Sequence, residues 1–447
     1  MKQSNTIAQA ILQWLQTKQS RLLDLKDRVL ASLWLRPLIW LGGFTLLAGG
    51  LVYLESYILE TPNWDELSPV LLSQPDGART MLGAIAGALL TAVSLSFSLM
   101  MGVVMQTANA YTPRLLRQYI GDTHNHHVLG IFMGGFTYSI LILRSVQSNF
   151  VPHIAVNVAL LLSIVCIIAL ISFINHVATS IEVGNIIKLI EKQALGSLDS
   201  FDNHDVGDPF IDDYTLPESP VCHYHAPTSG YIRTLQLKGF EQFFDDEDFL
   251  AELHYSVGDY VLEGSILVTL WRGEQSEALD STFEAFLALG NERSWNQDPR
   301  YGFNQLTDIA LKALSPGIND PTTAVMALNS IAKLMRDTLQ RGNLEHALRA
   351  DEGGTLRLIC PPNGIERIVR ESLWLIFDYG YKDHTIATRL IQVLGELGEV
   401  APQQNARELF TKTLSEMHQR MEIDAWSELE RRAFEDVYKN ARRRLKP

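Results

Sequence analysis

The second of four long apolar stretches carries the most suggestive spacing in the chain. Gly87, Thr91, Ser94, Ser98, Met101 and Met105 follow one another at intervals of four, three, four, three and four residues, which sets them on one face of a helix. Gly83 and Ala84 extend that face at one end, and Gln106 and Asn109 lie near the other. Small and hydroxylated residues have two uses in a membrane. They let helices approach closely and hydrogen-bond across the contact, or they line a water-filled path in an oligomer, where Met101 and Met105 would form a hydrophobic constriction. Arg144, at the outer end of the third stretch, reads either as a charged ring at the mouth of such a path, favouring anions, or as a side chain reaching back to the interface. No Asp, Glu, Lys or Arg lies between Arg79 and Arg114, or within the fourth stretch. A carrier coupled to protons or ions normally needs a buried ionisable group, so a carrier is disfavoured.

A second concentration of polar residues runs from Asp298 to Ala324: Asp-Pro-Arg-Tyr-Gly-Phe-Asn-Gln-Leu-Thr-Asp-Ile-Ala-Leu-Lys-Ala-Leu-Ser-Pro-Gly-Ile-Asn-Asp-Pro-Thr-Thr-Ala. The pattern predicts a helix from about Gly302 to Leu314 that stops at Ser315-Pro-Gly. The next helix is capped by Asn319 or Asp320, with Pro321 in its first turn. Asp298, Arg300, Asp308, Asn319 and Asp320 are then either structural, or polar groups gathered near one helix start to order a subunit interface or bind an ion. His124, His126 and His127 stand in the loop before the third stretch with Asp122 as their adjacent carboxylate, too few ligands for a metal site. Cys222, His223 and His225 also fall short, since strand alternation points Cys222 away from the two histidines. The aspartates between Asp199 and Asp213 miss the spacing of a calcium loop. No nucleophile elbow, phosphate loop or His-Glu-x-x-His helix is present. Neither an enzyme, a metal nor a cofactor is expected.

The elements that would position these residues follow from hydropathy. The apolar stretches run about 37–54, from Arg79 to Arg114, about 128–143 and about 154–174; each reaches or approaches the ~20 residues that cross a bilayer. Trp34, Trp40, Tyr53 and Tyr57 bracket the first as interfacial aromatics do. It begins too late and runs too long for a signal peptide. Lys and Arg cluster before the first span and at Arg114 and Arg117, against Arg79 and Arg144 on the other side, so both termini are expected in the cytoplasm. Ahead of the spans, Ile7, Ile11, Trp14, Leu15, Leu22, Leu25 and Val29 recur at helical spacing. They form an amphipathic helix, either on the membrane surface or packed on the soluble region.

Composition agrees with a divided chain. Of 447 residues, 47% are apolar and 20% charged, below the quarter usual in soluble proteins. Residues 1–179 have net charge +2 and residues 180–447 net −16, so nucleic acid is excluded as a nonspecific partner. Three separated cysteines make no disulfide framework. The chain divides into an amphipathic segment (1–36), four transmembrane helices (37–180), a helical exit and acidic linker (181–221), a β module (222–272) and a helical region (273–447). Within the β module, His225-Ala-Pro-Thr-Ser-Gly-Tyr-Ile232 and Val257-Gly-Asp-Tyr-Val-Leu-Glu-Gly-Ser-Ile-Leu267 together resemble the biotinyl/lipoyl-like barrel-sandwich hybrid. The lysine that carries the prosthetic group there has no counterpart, Lys238 lying in an ordinary context.

The small-residue second span, the exit Tyr-Thr-Pro-Arg114, the Ser-Gly-Tyr231 phrase and Ala-Leu-Ser-Pro-Gly-Ile-Asn-Asp-Pro321 occur in this order. As a set they resemble the predicted bacterial membrane protein family known as domain of unknown function 2254. The resemblance covers about residues 30–440 and implies architecture and a bacterial inner-membrane location. It implies no chemistry. The expected fold is an α-helical integral membrane domain followed by a cytoplasmic α+β region with a small barrel-sandwich-like module and then helices. The expected function is a homo-oligomeric channel in the lipid bilayer with a cytoplasmic assembly or gating domain. The alternative is a membrane-anchored scaffold or sensor that binds a cytoplasmic partner.

Overall fold

A computed structural model of the chain describes residues 35–57, 74–110, 122–148, 150–180, 182–202, 208–209, 214–235, 249–274, 279, 283, 286–295, 297–341, 348–350, 354–361, 364–421 and 425–445. Four of its helices are long and apolar enough to cross a membrane: α1 (Leu35–Tyr57), α2 (Pro75–Ala110), α3 (Thr123–Ser145) and α4 (His153–Ser180). They belong to one compact unit, residues 1–182, and the remaining residues form a second. The expected amphipathic helix before the spans, Arg114, Arg117 and Lys238 lie outside the described residues.

The third span is longer than its apolar run because Asp122 caps it, accepting the His124 backbone N–H at 2.9 Å. The three histidines expected in a loop therefore fall in the first turns of α3. This helix is the hub of the unit. A Cβ at Gly130 would stand 2.7 Å from Trp40 Cδ1 and 3.1 Å from the Pro37 backbone, and one at Gly134 would press on the Phe44 ring. Four residues apart, these glycines let α1 settle directly on the α3 backbone. Gly135 receives Leu89 of α2 and Cys166 of α4. At the far end of the bundle, Glu55 accepts the Ala155 N–H at 2.8 Å, filling an orphan donor in the first turn of α4. Tyr138 Oη donates to the Ala155 carbonyl at 2.9 Å.

In the second unit, α5 (Val183–Asp202) precedes two open sheets. The larger has the order β1 (Asp208–Pro209), β8 (Leu348–Ala350), β9 (Leu356–Ile359), β4 (Leu250–Leu253), β6 (Ile266–Arg272) and β2 (Cys222–His225); all its pairs are antiparallel except β4 with β9. The smaller is β5 (Tyr260–Val261), β3 (Gly230–Leu235) and β7 (Leu287–Gly290). Phe249, Val268, Leu270, Phe283 and Leu358 are among the residues of their shared core. Helices α6 (Pro299–Ala313) and α7 (Pro321–Arg341) follow. Next, α8 (Ile365–Ile368) runs through a π-helical segment (Val369–Trp374) into α9 (Leu375–Gly380). The chain continues with α10 (His384–Val400), α11 (Gln404–Arg420) and α12 (Glu428–Arg444).

The β region thus draws on more chain than 222–272. Strands β7, β8 and β9 come from the stretch expected to be wholly helical, and β1 from the expected linker. Each has only two to four residues, too few for a period-2 pattern to register.

Candidate functional site

In α2 one face packs and the opposite face does not. Ala78, Leu82, Ala86, Leu89, Met100 and Val103 are buried; of these, Ala78, Leu82, Leu89, Met100 and Val103 join the cores made with the other spans. At 3.6 residues per turn the opposite face holds Gly83, Gly87, Thr91, Ser94, Ser98, Met101 and Met105 within about 40° of a single line. All seven are exposed, and a Cβ built at Gly83 or Gly87 meets nothing within 4 Å. The hydroxyls are satisfied locally: Thr91 donates to Gly87 O (2.9 Å), Ser94 to Leu90 O (3.1 Å) and Ser98 to Ser94 O (2.9 Å). Such back-bonding lets a hydroxyl sit in an apolar region while an acceptor lone pair still faces outward. Met101 and Met105 are 40% and 64% exposed. Large apolar residues make up the rest of the exposed surface: Leu90, Leu95, Phe97 and Leu99 flank the stripe on α2 itself, α4 presents Leu161, Ile164, Ile167, Ile168 and Ile171, and α1 presents Leu38, Ile39 and Leu46, as lipid-facing helices do.

Among the described residues, Gly83 and Gly87 make no close helix packing of the kind the sequence allowed for this face. That role belongs to Gly130, Gly134 and Gly135 of α3, which sequence reading passed over although Gly130 and Gly134 have the small-xxx-small spacing. Arg144 is exposed in the last turn of α3. Arg79, near the start of α2, donates to the Val146 carbonyl just beyond that turn at 3.2 Å.

In the second unit the polar residues singled out between 298 and 320 separate into two places. Asp298 and Arg300 meet at the start of α6. The Asp298 carboxylate caps the helix through Tyr301 N (3.1 Å) and takes a two-pronged bond from Arg293 (2.8 and 2.9 Å). The buried Arg300 donates through Nη2 to the Val257 carbonyl (2.8 Å) and to Asp259 Oδ1 (2.9 Å). Asp259 also accepts from Arg367 Nη2 at 2.7 Å, and Arg367 Nε reaches Glu371 at 2.8 Å. Burial works to raise the Asp259 carboxyl, but the bond from Arg367, the charge of Arg300 and the Ser256 N–H outweigh it and hold the group below the ordinary carboxylate range. Asp259 belongs to the Gly-Asp phrase of the β module, so the two most unusual phrases of the second unit grip each other. Between them Gly258, at φ +87°, leaves no room for a side chain: a Cβ would stand 2.8 Å from Arg293 Nη2 and 2.9 Å from Asp298 Cγ.

Asn319 and Asp320 lie beyond the other end of α6, in the tight turn to α7, and are not gathered with Asp298. Asn319 takes φ +49°, while Asp320 caps α7 through the Thr323 N–H (3.1 Å) and hydroxyl (2.6 Å). Asp308 is half-buried midway along α6. Cys222 and Tyr224 pack against the β core, whereas His223 faces Thr269 Oγ1 at 3.1 Å with its ring 6.4 Å from that of His225. Strand alternation separates Cys222 from the two histidines, as expected. Among the described residues no three His, Cys, Asp or Glu side chains converge as a metal would need.

A family model described as "Predicted membrane protein (DUF2254)" matches residues 31–396. Two relatives, both described as uncharacterized proteins, are 30% identical over 336 residues: one of Mycobacterium tuberculosis (strain CDC 1551 / Oshkosh), the other of Mycobacterium bovis (strain ATCC BAA-935 / AF2122/97). The match takes in 73% of this chain and 64% of each relative, so the chain spans just under two thirds of their length. No solved structure matches.

Proposed function

We propose that this chain, which belongs to the DUF2254 family of predicted membrane proteins, is the subunit of a homo-oligomeric channel whose wall is the open face of α2. The observation that supports this reading is the contrast across that helix: one side is buried in its own bundle, and among the described residues the Gly/Thr/Ser/Met side is exposed, flanked by Leu90, Leu95, Phe97 and Leu99. Four spans enclose little by themselves, so a water path requires several copies around an axis. In that arrangement Thr91, Ser94 and Ser98 offer oxygens to water or ions. Met101 and Met105 form the constriction, and Arg144 stands near the mouth as a cation that favours anions. The family resemblance implies a bacterial inner membrane, and the Lys/Arg bias puts both termini and the acidic second unit in the cytoplasm. There the β region, read as a barrel-sandwich-like module without an attachment lysine, and the helices assemble or gate the pore. No catalytic step is part of this reading.

Ion flux through liposomes containing only the purified protein tests it, with cations and anions screened separately. Flux that falls at least tenfold with Ser98→Leu and changes with Met101→Ser, while the oligomer stays intact, is the expected result. Absence of flux across voltage, pH and calcium returns the chain to the second reading, a membrane-anchored scaffold. That reading draws on the Asp259–Arg300–Arg367 grip, which makes the β region and helices of the second unit one rigid surface for a partner.

A further inference from the structure

At the end of the bundle opposite Glu55, a set of titratable groups joins three segments of chain. Asp122, the cap of α3, touches His176 Nε2 of α4 through its second oxygen while its first holds the His124 N–H. The His124 ring lies against the His176 ring, centroids 4.5 Å apart, and its Nε2 faces Ser172 Oγ at 3.5 Å. From α1, Arg36 donates to Thr123 Oγ1 at 2.7 Å and Trp40 Nε1 to His127 Nδ1 at 2.9 Å. The described side chains of α2 at this end, Met105 and Gln106, carry no charge. His176 lies 50 residues beyond the histidine cluster seen in the sequence, and only the packing of α4 on α3 brings it there.

We propose that Asp122, His124 and His176 form a proton-operated clasp between α3 and α4. One proton on the facing imidazoles gives Asp122 a cation to hold, a charge-assisted bond that ties the α3 cap to α4. A second proton puts two cationic rings 4.5 Å apart beside a single carboxylate, and like charges that close oppose the contact. Loss of the last proton leaves Asp122 facing a neutral ring. Imidazole as a side chain changes charge near physiological pH, so the clasp is tightest where the pair holds one proton and loosens on both sides. It is independent of whether α2 lines a pore.

The test is hydrogen exchange by mass spectrometry on the full-length protein in micelles, following residues 122–130 from pH 5 to 9 with intrinsic rates corrected. Protection is expected to peak inside this range and to fall at least threefold toward each limit. Residues 138–145, at the other end of α3, stay flat. His124→Gln should remove the acid limb alone, His176→Gln both limbs, and Asp122→Asn, which keeps a cap oxygen, the alkaline limb. Should His176→Gln fail to fold, Asp122→Asn still reads the alkaline limb and His124→Gln the acid one. A flat profile in the unsubstituted protein, or limbs that survive these substitutions, overturns the proposal.

Discussion

Asp259 shows how one carboxylate can hold two layers of a domain together. It is 14% exposed at its side chain, and the Arg300 that it pairs with is 4% exposed. Removing one partner from such a pair leaves a buried charge uncompensated, which typically costs about 3–5 kcal/mol. Asp259→Ala should therefore lower the unfolding midpoint of the second unit far more than Asp320→Ala. The latter deletes a helix cap worth about 0.5–2 kcal/mol at a turn whose neighbour Asn319 is exposed. The pH dependence follows from the direction of the shift. Because the folded carboxyl lies below its ordinary range, its contribution is complete above an unfolded value of about 3.9 and drains away as pH falls from there through the folded value. Melting curves recorded at successively lower pH should show an acid limb that Asp259→Asn flattens. A limb of unchanged depth in that variant would assign acid sensitivity to other carboxylates.

Elements, more than residues, decided what the sequence disclosed. The four spans were legible because a run of apolar residues long enough to cross a bilayer is a strong signal, and the capped turn Ser315–Pro321 was legible because Pro, Gly, Asn and Asp each favour a definite local geometry. Strands β7 to β9 were not, being too short to show alternation and held by partners far away in sequence: β9 pairs with β4 across a separation of about a hundred residues. The candidate face on α2 was found by spacing alone, but spacing could not say whether it packed inward, because Gly and Ser serve both purposes. That distinction needed the neighbouring helix, where Gly130 and Gly134 do the packing. It yields a paired prediction. Gly130→Leu or Gly134→Leu must push Trp40, Pro37 or Phe44 aside, a kind of overpacking that costs about 1–3 kcal/mol. Gly83→Leu and Gly87→Leu enter open space and should leave the unfolding free energy within about 0.5 kcal/mol of its starting value. Unfolding in a detergent that keeps the chain monomeric compares the two pairs. Equal destabilisation would mean that α2 packs through its small face after all.

For the whole molecule the question is what covers that face. Under the proposed channel it is water and neighbouring copies rather than lipid: Ile164, Ile168 and Ile171 of α4 offer acyl chains branched apolar surface, and a Gly/Thr/Ser stripe offers them less area. In the proposed homo-oligomer the same residue of every copy approaches the same axis, so residues on α2 should lie near their own counterparts while residues on the outer side of α4 should not. With Cys166, Cys222 and Cys360 replaced, Ser94→Cys should cross-link copy to copy with a short bis-maleimide in membranes, and Ile168→Cys should remain uncoupled. The ladder of products then counts the subunits, and blocking it by dilution into excess lipid separates true assembly from collision. If Ile168→Cys couples as readily as Ser94→Cys, or neither couples at any protein-to-lipid ratio, the axis does not run along α2. The flux experiment would then have to be interpreted with a different wall.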